Sequence, residues 1–177
     1  MTGKHLTPKP PDVILRDEPA TMPVWAVSYA AFLERKRHSA NDFGFDPGSL
    51  PGFLFDFQAD LVTRALRKGR FAWLVDCGLG KGPMALVWAM MVAKQTGKPV
   101  LILVPLAVAF QMLAEAQRFG IDAARSLAGE ITAPVVICNY HRLHYFKPED
   151  FGGVVGDEAA CIKNFAGQTT KAVTDFM

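Results

Sequence analysis

From Asp56 onward the apolar positions recur at the two periods of regular structure. Phe57, Leu61, Val62, Ala65 and Leu66 fall on one helical face, Asp56 stands where an N-cap belongs, and Gly69 stands where the helix should stop. Four apolar runs follow, Phe71 to Val75, Val100 to Val104, Val135 to Cys138 and Phe151 to Val155. Their length suits strands, and they lack the polar alternation of a sheet wetted on one side, so they predict strands buried on both faces. Pro83 to Gln95 and Leu106 to Phe119 carry apolar residues at period 3.6, and Ile162 to Phe176 does so more weakly. Strand and helix in alternation predict a doubly wound α/β domain with a mainly parallel sheet flanked by helices.

The chain before this region reads differently. Seven of the 12 prolines fall within the first 51 residues, and Thr7 to Pro23 alternates proline with charge, which suits an extended arm. Trp25, Tyr29, Phe32 and Leu33 repeat at helical spacing ahead of the basic turn Arg35-Lys36-Arg37, predicting a short amphipathic helix. The division is therefore a Pro-rich arm over 1–52 and a folded domain over 53–177.

Composition changes this picture little. Half of the 177 residues are hydrophobic, enough for one cored domain, and a formal charge of +2 neither demands nor excludes nucleic acid. Cys77, Cys138 and Cys161 form no CxxC pair, which points to a reducing cytoplasm over a disulfide framework or a zinc ribbon. The apolar runs break well short of a membrane span, and Met1-Thr-Gly-Lys-His-Leu6 lacks the apolar core of an export signal, so no membrane partner is expected. His141 and His144 could share a helical face but have no carboxylate or cysteine near them in sequence, and they are read as loop histidines, not ligands.

The sharpest chemical signal is strand, then Asp76-Cys77-Gly78-Leu79-Gly80-Lys81-Gly82-Pro83, then a long helix. Successive backbone N–H groups can cradle a phosphate only where glycines allow close approach and a helix N-terminus supplies partial positive charge. Gly78 and Gly80 supply the first, the helix the second, and Lys81 would reach the β- and γ-phosphates. On the motif alone, an ordinary glycine-rich turn opening a helix reads the same way. Val75 stands where such loops usually carry Gly or Ala. Gly82 stands where Ser or Thr supplies a magnesium-ligating hydroxyl, so nucleotide binding could survive while turnover falls.

The run Phe151 to Val155 leads into Gly156-Asp157-Glu158-Ala159-Ala160, placing two carboxylates at the C-terminal end of a strand, where crevices of open α/β sheets form. Asp157 would hold Mg²⁺ through its water shell and Glu158 would polarise the attacking water. Taken alone, the pair also fits a solvated helix N-cap.

These residues together resemble the superfamily 2 helicases and translocases, and within them the Swi/Snf-like branch of the phage and prophage type, from about Phe53 to the last residue. Asp157-Glu158-Ala159-Ala160-Cys161-Ile162-Lys163-Asn164 is similar to that branch's extended motif II, with its Lys-Asn ending. The resemblance implies a RecA-like P-loop lobe that takes ATP and Mg²⁺. Its nucleotide residues would be Gln58, which reads the adenine edge in the family, with Gly78, Leu79, Gly80, Lys81 and Gly82. Lys81, Asp157 and Glu158 would be catalytic, with Asp157 at the metal. It implies a DNA partner, double-stranded, approached by Pro105 and Leu106 of Leu103-Val104-Pro105-Leu106 and by Tyr140 and Arg142 of Asn139-Tyr140-His141-Arg142-Leu143. Ala160 departs from the family's hydrogen-bonding residue at that position.

A working motor of this kind hydrolyses ATP between two lobes, with arginine fingers from the second. By resemblance this chain covers one lobe and ends before motif III, so a truncated gene, or a split motor whose second polypeptide supplies the C-terminal lobe, is expected. Thr at position 82 should then raise turnover in a completed motor. A non-catalytic nucleotide- or DNA-binding module is the other class, favoured by Gly82 and Ala160. A P-loop kinase of small metabolites fits the loop but not Gln58 or Lys163-Asn164. The family topology further implies an empty lane between Phe71–Val75 and Phe151–Val155. Two rows of unpaired backbone groups cannot stay buried, so the sheet should close up or borrow a strand.

Overall fold

A computed structural model describes residues 29, 31–32, 43–164 and 167–177. Most of the expected arm, and of the helix expected around Trp25 to Arg37, lies outside the described residues. Tyr29, Ala31 and Phe32 are helical.

The compact unit Asn41–Met177 is built from α1 (Asp56–Lys68), α2 (Lys81–Thr96), β1 (Val100–Val104), α3 (Ala109–Arg118), β2 (Ala123–Arg125), β3 (Val135–Asn139), β4 (Gly153–Gly156) and α4 (Gln168–Phe176). The sheet order is β2-β3-β1-β4 and every pairing is parallel. β1 and β3 are buried along their whole length, which is why both read as unbroken apolar runs. Val100, Ile102, Val104, Val135 and Ile137 pack with Met84, Leu86 and Val87 of α2, Met112 and Ala116 of α3, and Val62 and Leu66 of α1. Leu101, Leu103, Val136 and Cys138 pack with Tyr140, Leu143, Phe146, Phe151 and Val173. The alternating residues of each central strand thus feed two separate cores.

The helices follow the periodicity with shifted ends. Asp56 is the first residue of α1 and does not cap it; the Phe55 N–H is instead taken by the Gln58 side chain at 3.0 Å. α2 starts two residues ahead of Pro83, which a first helical turn tolerates. α3 begins only at Ala109, after a turn closed by the Val108 N–H on the Pro105 carbonyl at 3.0 Å. α4 begins at Gln168, with Ile162 left in the 3₁₀ turn Ala159–Ile162. Phe43 to Leu50, placed by composition in the arm, joins the domain: the N–H groups of Gly44 and Phe45 donate to the carbonyls of Arg67 and Leu66 at 3.0 and 2.9 Å, and Phe45 and Leu50 pack on the core.

One expected strand is not there. Phe71 to Val75 carries no regular structure, and Leu74 is 98% exposed. An apolar run becomes a strand only through a ladder, and among the described residues β4 pairs with β1 alone. The run is held by the Trp73 indole N–H on the Leu61 carbonyl at 3.3 Å and by Trp73 packing on the core. The two segments do not close up into a pair, and the outer edge of β4 has no neighbouring strand among the described residues. An unpaired edge beside an exposed apolar run invites association. The purified chain is therefore expected to unfold at low urea or to self-associate. Light scattering behind a sizing column, with a urea titration, checks this; a cooperative monomer of ordinary stability would contradict it.

Candidate functional site

Parallel strands deliver their carboxyl ends to one edge of the sheet, and here those ends lead into Pro105 after β1, Tyr140 after β3 and Asp157 after β4. The loop from Asp76 to Gly80 enters α2. Gly78 and Gly80 have φ of 82° and 74°, a region that costs other residues about 1–2 kcal/mol. A Cβ at Gly78 would meet nothing within 4 Å, so the backbone there is open to a ligand; one at Gly80 would run into Gln58 Nε2.

Gln58 is 95% buried, and its amide spans two elements. Its Nε2 donates to the Leu79 carbonyl at 2.9 Å, while its Oε1 accepts the Phe55 N–H. It thus ties the start of α1 to the glycine loop ahead of α2 and has one amide hydrogen left. Lys81 Nζ donates to the Val75 carbonyl at 3.1 Å, which keeps the ammonium across the loop. No side chain caps α2, leaving its first N–H groups for an anion. Gly82, in the same turn, faces the Glu115 carboxylate of α3, which lies where a Cβ would go.

Asp157 extends the β4 ladder, its N–H donating to the Leu103 carbonyl at 2.8 Å, and its own carbonyl accepts the Tyr140 hydroxyl at 2.6 Å. Burial pushes the Asp157 carboxyl above the usual carboxylate range, and the charges of Glu158 and Glu115 push it the same way. The Glu158 N–H and the charge of Lys81 oppose them. Lys81 and Asp157 therefore feel one another across the edge of the sheet. Tyr140 is 6% exposed, and its phenol is raised by burial first and then by the charges of Cys161, Asp157 and Glu158, so it stays a proton donor. Glu158 is exposed and has a φ of 65°, the one positive φ outside glycine among the described residues. Such strain, about 1–3 kcal/mol, gathers where side-chain direction matters.

Because the Asp157 carboxyl is raised, the fold favours its neutral form. Stability from this group is fully present below the ordinary value of 3.8 and is lost as pH rises through the raised one. Asp157→Asn is expected to raise the urea midpoint at pH 7 but not at pH 3, while removing the carboxylate available to a metal. Urea titrations at both pH values check this, and a lower midpoint at pH 7 would contradict it.

The four residues expected on the nucleic-acid side are not equally presented. Leu106 is 65% exposed and Pro105 half-buried, but Tyr140 lies beneath Asp157, and Arg142 donates to the Leu127 carbonyl. Asn139 Nδ2 reaches the Val104 carbonyl at 3.4 Å and joins the ends of β1 and β3. His141 and His144 lie in the 3₁₀ turn Tyr140–Tyr145, with His144 against the Tyr145 ring. A shallow cleft of about 380 Å³ at the amino ends of β1 and β3, beside Lys98 and Pro134, contains none of the expected site residues.

Among the described residues no three His, Cys, Asp or Glu side chains gather into a group that could hold a metal ion. The Asp157 carboxylate would still fit Mg²⁺, which keeps most of its waters and is held by one or two carboxylates together with substrate phosphates. The open backbone at Gly78, the uncapped helix and Lys81 fit the phosphates. Sequence reasoning missed Glu115; its one signal is an acid set between Ala114 and Ala116, small residues that permit a close helix approach.

The chain matches no protein-family model and no curated protein. Among solved structures it is similar to the Sulfolobus solfataricus SWI2/SNF2 ATPase core in complex with dsDNA, with a TM-score of 0.59 and 23% identity over 74% of this chain. The match spans 31% of that protein's length. The likeness is one of fold: the four-stranded parallel sheet flanked by helices is a RecA-like α/β arrangement. Among the described residues no helix is long and apolar enough to cross a membrane.

Proposed function

We propose that this chain is the ATP-binding part of a DNA-dependent ATPase, a helicase or translocase of the Swi/Snf-like, phage or prophage type. The observation that carries the reading is the phosphate loop Gly78-Leu79-Gly80-Lys81, held open by Gln58, with Lys81 in electrostatic reach of Asp157 at the end of β4. Lys81 and the α2 N-terminus bind the phosphates, Asp157 takes the Mg²⁺, and Glu158 orients the attacking water. The remaining amide hydrogen of Gln58 serves the adenine. When bound, Mg²⁺ neutralises charge on the phosphates. Duplex DNA would lie along the carboxyl edge of the sheet near Pro105 and Leu106; that the similar Sulfolobus solfataricus core is in complex with dsDNA supports a DNA partner. Turnover depends on a second lobe that supplies the arginine finger, in the bacterial host's cytoplasm.

A non-catalytic nucleotide- or DNA-binding module is the second reading, favoured by the missing hydroxyl at Gly82 and the missing hydrogen-bonding side chain at position 160. Parallel titrations of the purified chain with labelled duplex DNA and a fluorescent ATP analogue test the proposal. Saturable binding of both supports it. Nucleotide binding without DNA binding, under low salt, would overturn the DNA-dependent part.

A further inference from the structure

We propose that Glu115 takes over, toward the nucleotide's Mg²⁺, the place of the hydroxyl that Gly82 lacks. This rests on the nucleotide-site reading above. Gly82 lies in the first turn of α2, one residue past Lys81. A Cβ built there would overlap Glu115 Oε2 and come within 3.1 Å of the carboxyl carbon. The volume that a Ser or Thr side chain needs is thus already filled, and by a group with metal-ligating oxygens. The absence of a side chain at 82 and the presence of a carboxylate from α3 are one steric arrangement: a side chain at 82 would make the Glu115 carboxylate swing aside.

Glu115 is also aimed. It is half-buried, and Gln111 Nε2 donates to its Oε1 at 3.2 Å, which leaves Oε2 as the oxygen facing the first turn of α2. Its charge reaches Asp157, as does that of Lys81. The carboxylates of Asp157 and Glu115 thus come from different parts of the fold, the residue after β4 and helix α3. Charge chemistry then sets the consequence. A carboxylate beside the first N–H groups of α2 competes with a bare phosphate for the same positive end of the helix. With Mg²⁺ on the phosphates, the same carboxylate becomes an attractive partner, directly or through a metal-bound water. Glu115 therefore makes nucleotide binding strongly metal-dependent. A glutamate that merely offset the helix dipole would weaken nucleotide binding equally with and without metal.

The test is equilibrium binding of a fluorescent ATP analogue, with excess Mg²⁺ and with EDTA, to the wild-type chain, Glu115→Gln, Glu115→Asp and the double variant Gly82→Ser/Glu115→Ala. Circular dichroism reports folding, and electron paramagnetic resonance of Mn²⁺ with the nucleotide reports the metal directly. The wild type should bind far better with metal. Glu115→Gln should bind more tightly than wild type in EDTA and more weakly in Mg²⁺, shrinking the metal-dependent ratio by about tenfold or more. The serine of the double variant should restore part of that ratio, and Glu115→Asp should fall between wild type and Glu115→Gln. A ratio unchanged in Glu115→Gln, or affinity raised equally in both conditions, overturns the role of Glu115 while leaving the nucleotide site standing. If Glu115→Gln does not fold, Glu115→Asp decides, and a wild-type ratio there overturns the proposal. A folded wild-type chain that binds no analogue in either condition removes the underlying nucleotide reading instead.

Discussion

Lys81→Ala is expected to weaken binding of an ATP analogue by about tenfold to a hundredfold, without loss of fold. Lys81 is the only cation between Asp76 and Gly82, and its ammonium now rests on a backbone carbonyl, a partner it can exchange for phosphate oxygens. A charged hydrogen bond is worth about 1.5–3 kcal/mol, and each 1.4 kcal/mol is a factor of ten in affinity. The side chain is half-buried at the rim of the domain and contributes nothing to either core, so its removal leaves no cavity. Fluorescence titration of both proteins measures the ratio. Equal affinities would remove the phosphate-loop assignment.

The second large effect is on turnover. The purified chain should hydrolyse ATP at background rate, with or without duplex DNA. In motors of this chemistry an arginine finger accounts for roughly 10³–10⁵ in rate, and the proposal assigns that arginine to a second lobe. A metal-ligating hydroxyl lost with nothing in its place would cost about a hundredfold by itself, on the order of a few kcal/mol at the transition state. The structure alters the remedy, however. Gly82→Thr restores the hydroxyl as the Glu115 carboxylate, the far end of a flexible side chain, swings out of the space that a Cβ takes. Threonine alone should therefore raise the rate in a completed two-lobe motor, and serine or threonine combined with a shortened residue 115 should raise it more. A colorimetric phosphate assay decides; robust turnover by the single chain would contradict the dependence on a second lobe.

What the sequence made legible, and what it did not, follows from where each signal originates. β1 and β3 were readable because burial on both faces writes itself as an uninterrupted apolar run; β4, expected to be as buried, is a half-buried edge strand over Gly153–Gly156. Phe71 to Val75 has the same composition and is not a strand, because strand formation depends on a neighbour that no local pattern encodes. β2 is the converse: Ala123-Ala124-Arg125 has no strand signal and is extended only because it pairs with β3. The glycine turn ahead of α2 was legible because Gly78 and Gly80 reach a left-handed backbone, and the place of Asp157 because it ends an apolar run. The amide of Gln58 could be placed near the loop from its position in the chain, but its engagement with Phe55 and Leu79 is a matter of packing. Glu115 lies 33 residues beyond Gly82 on another helix, and only the approach of α3 to α2 brings the two together.

The most direct test of the central claim, that the loop from Gly78 to Lys81 and the Asp157 carboxylate form one nucleotide site, is isothermal titration of the folded wild-type chain with ATP in the presence of Mg²⁺. Saturable binding of one nucleotide per chain, much weakened when EDTA replaces the metal and when Asp157 is changed to Asn, is the result predicted. A folded chain that gives no saturable heat, or the same affinity with and without metal in both proteins, would contradict it.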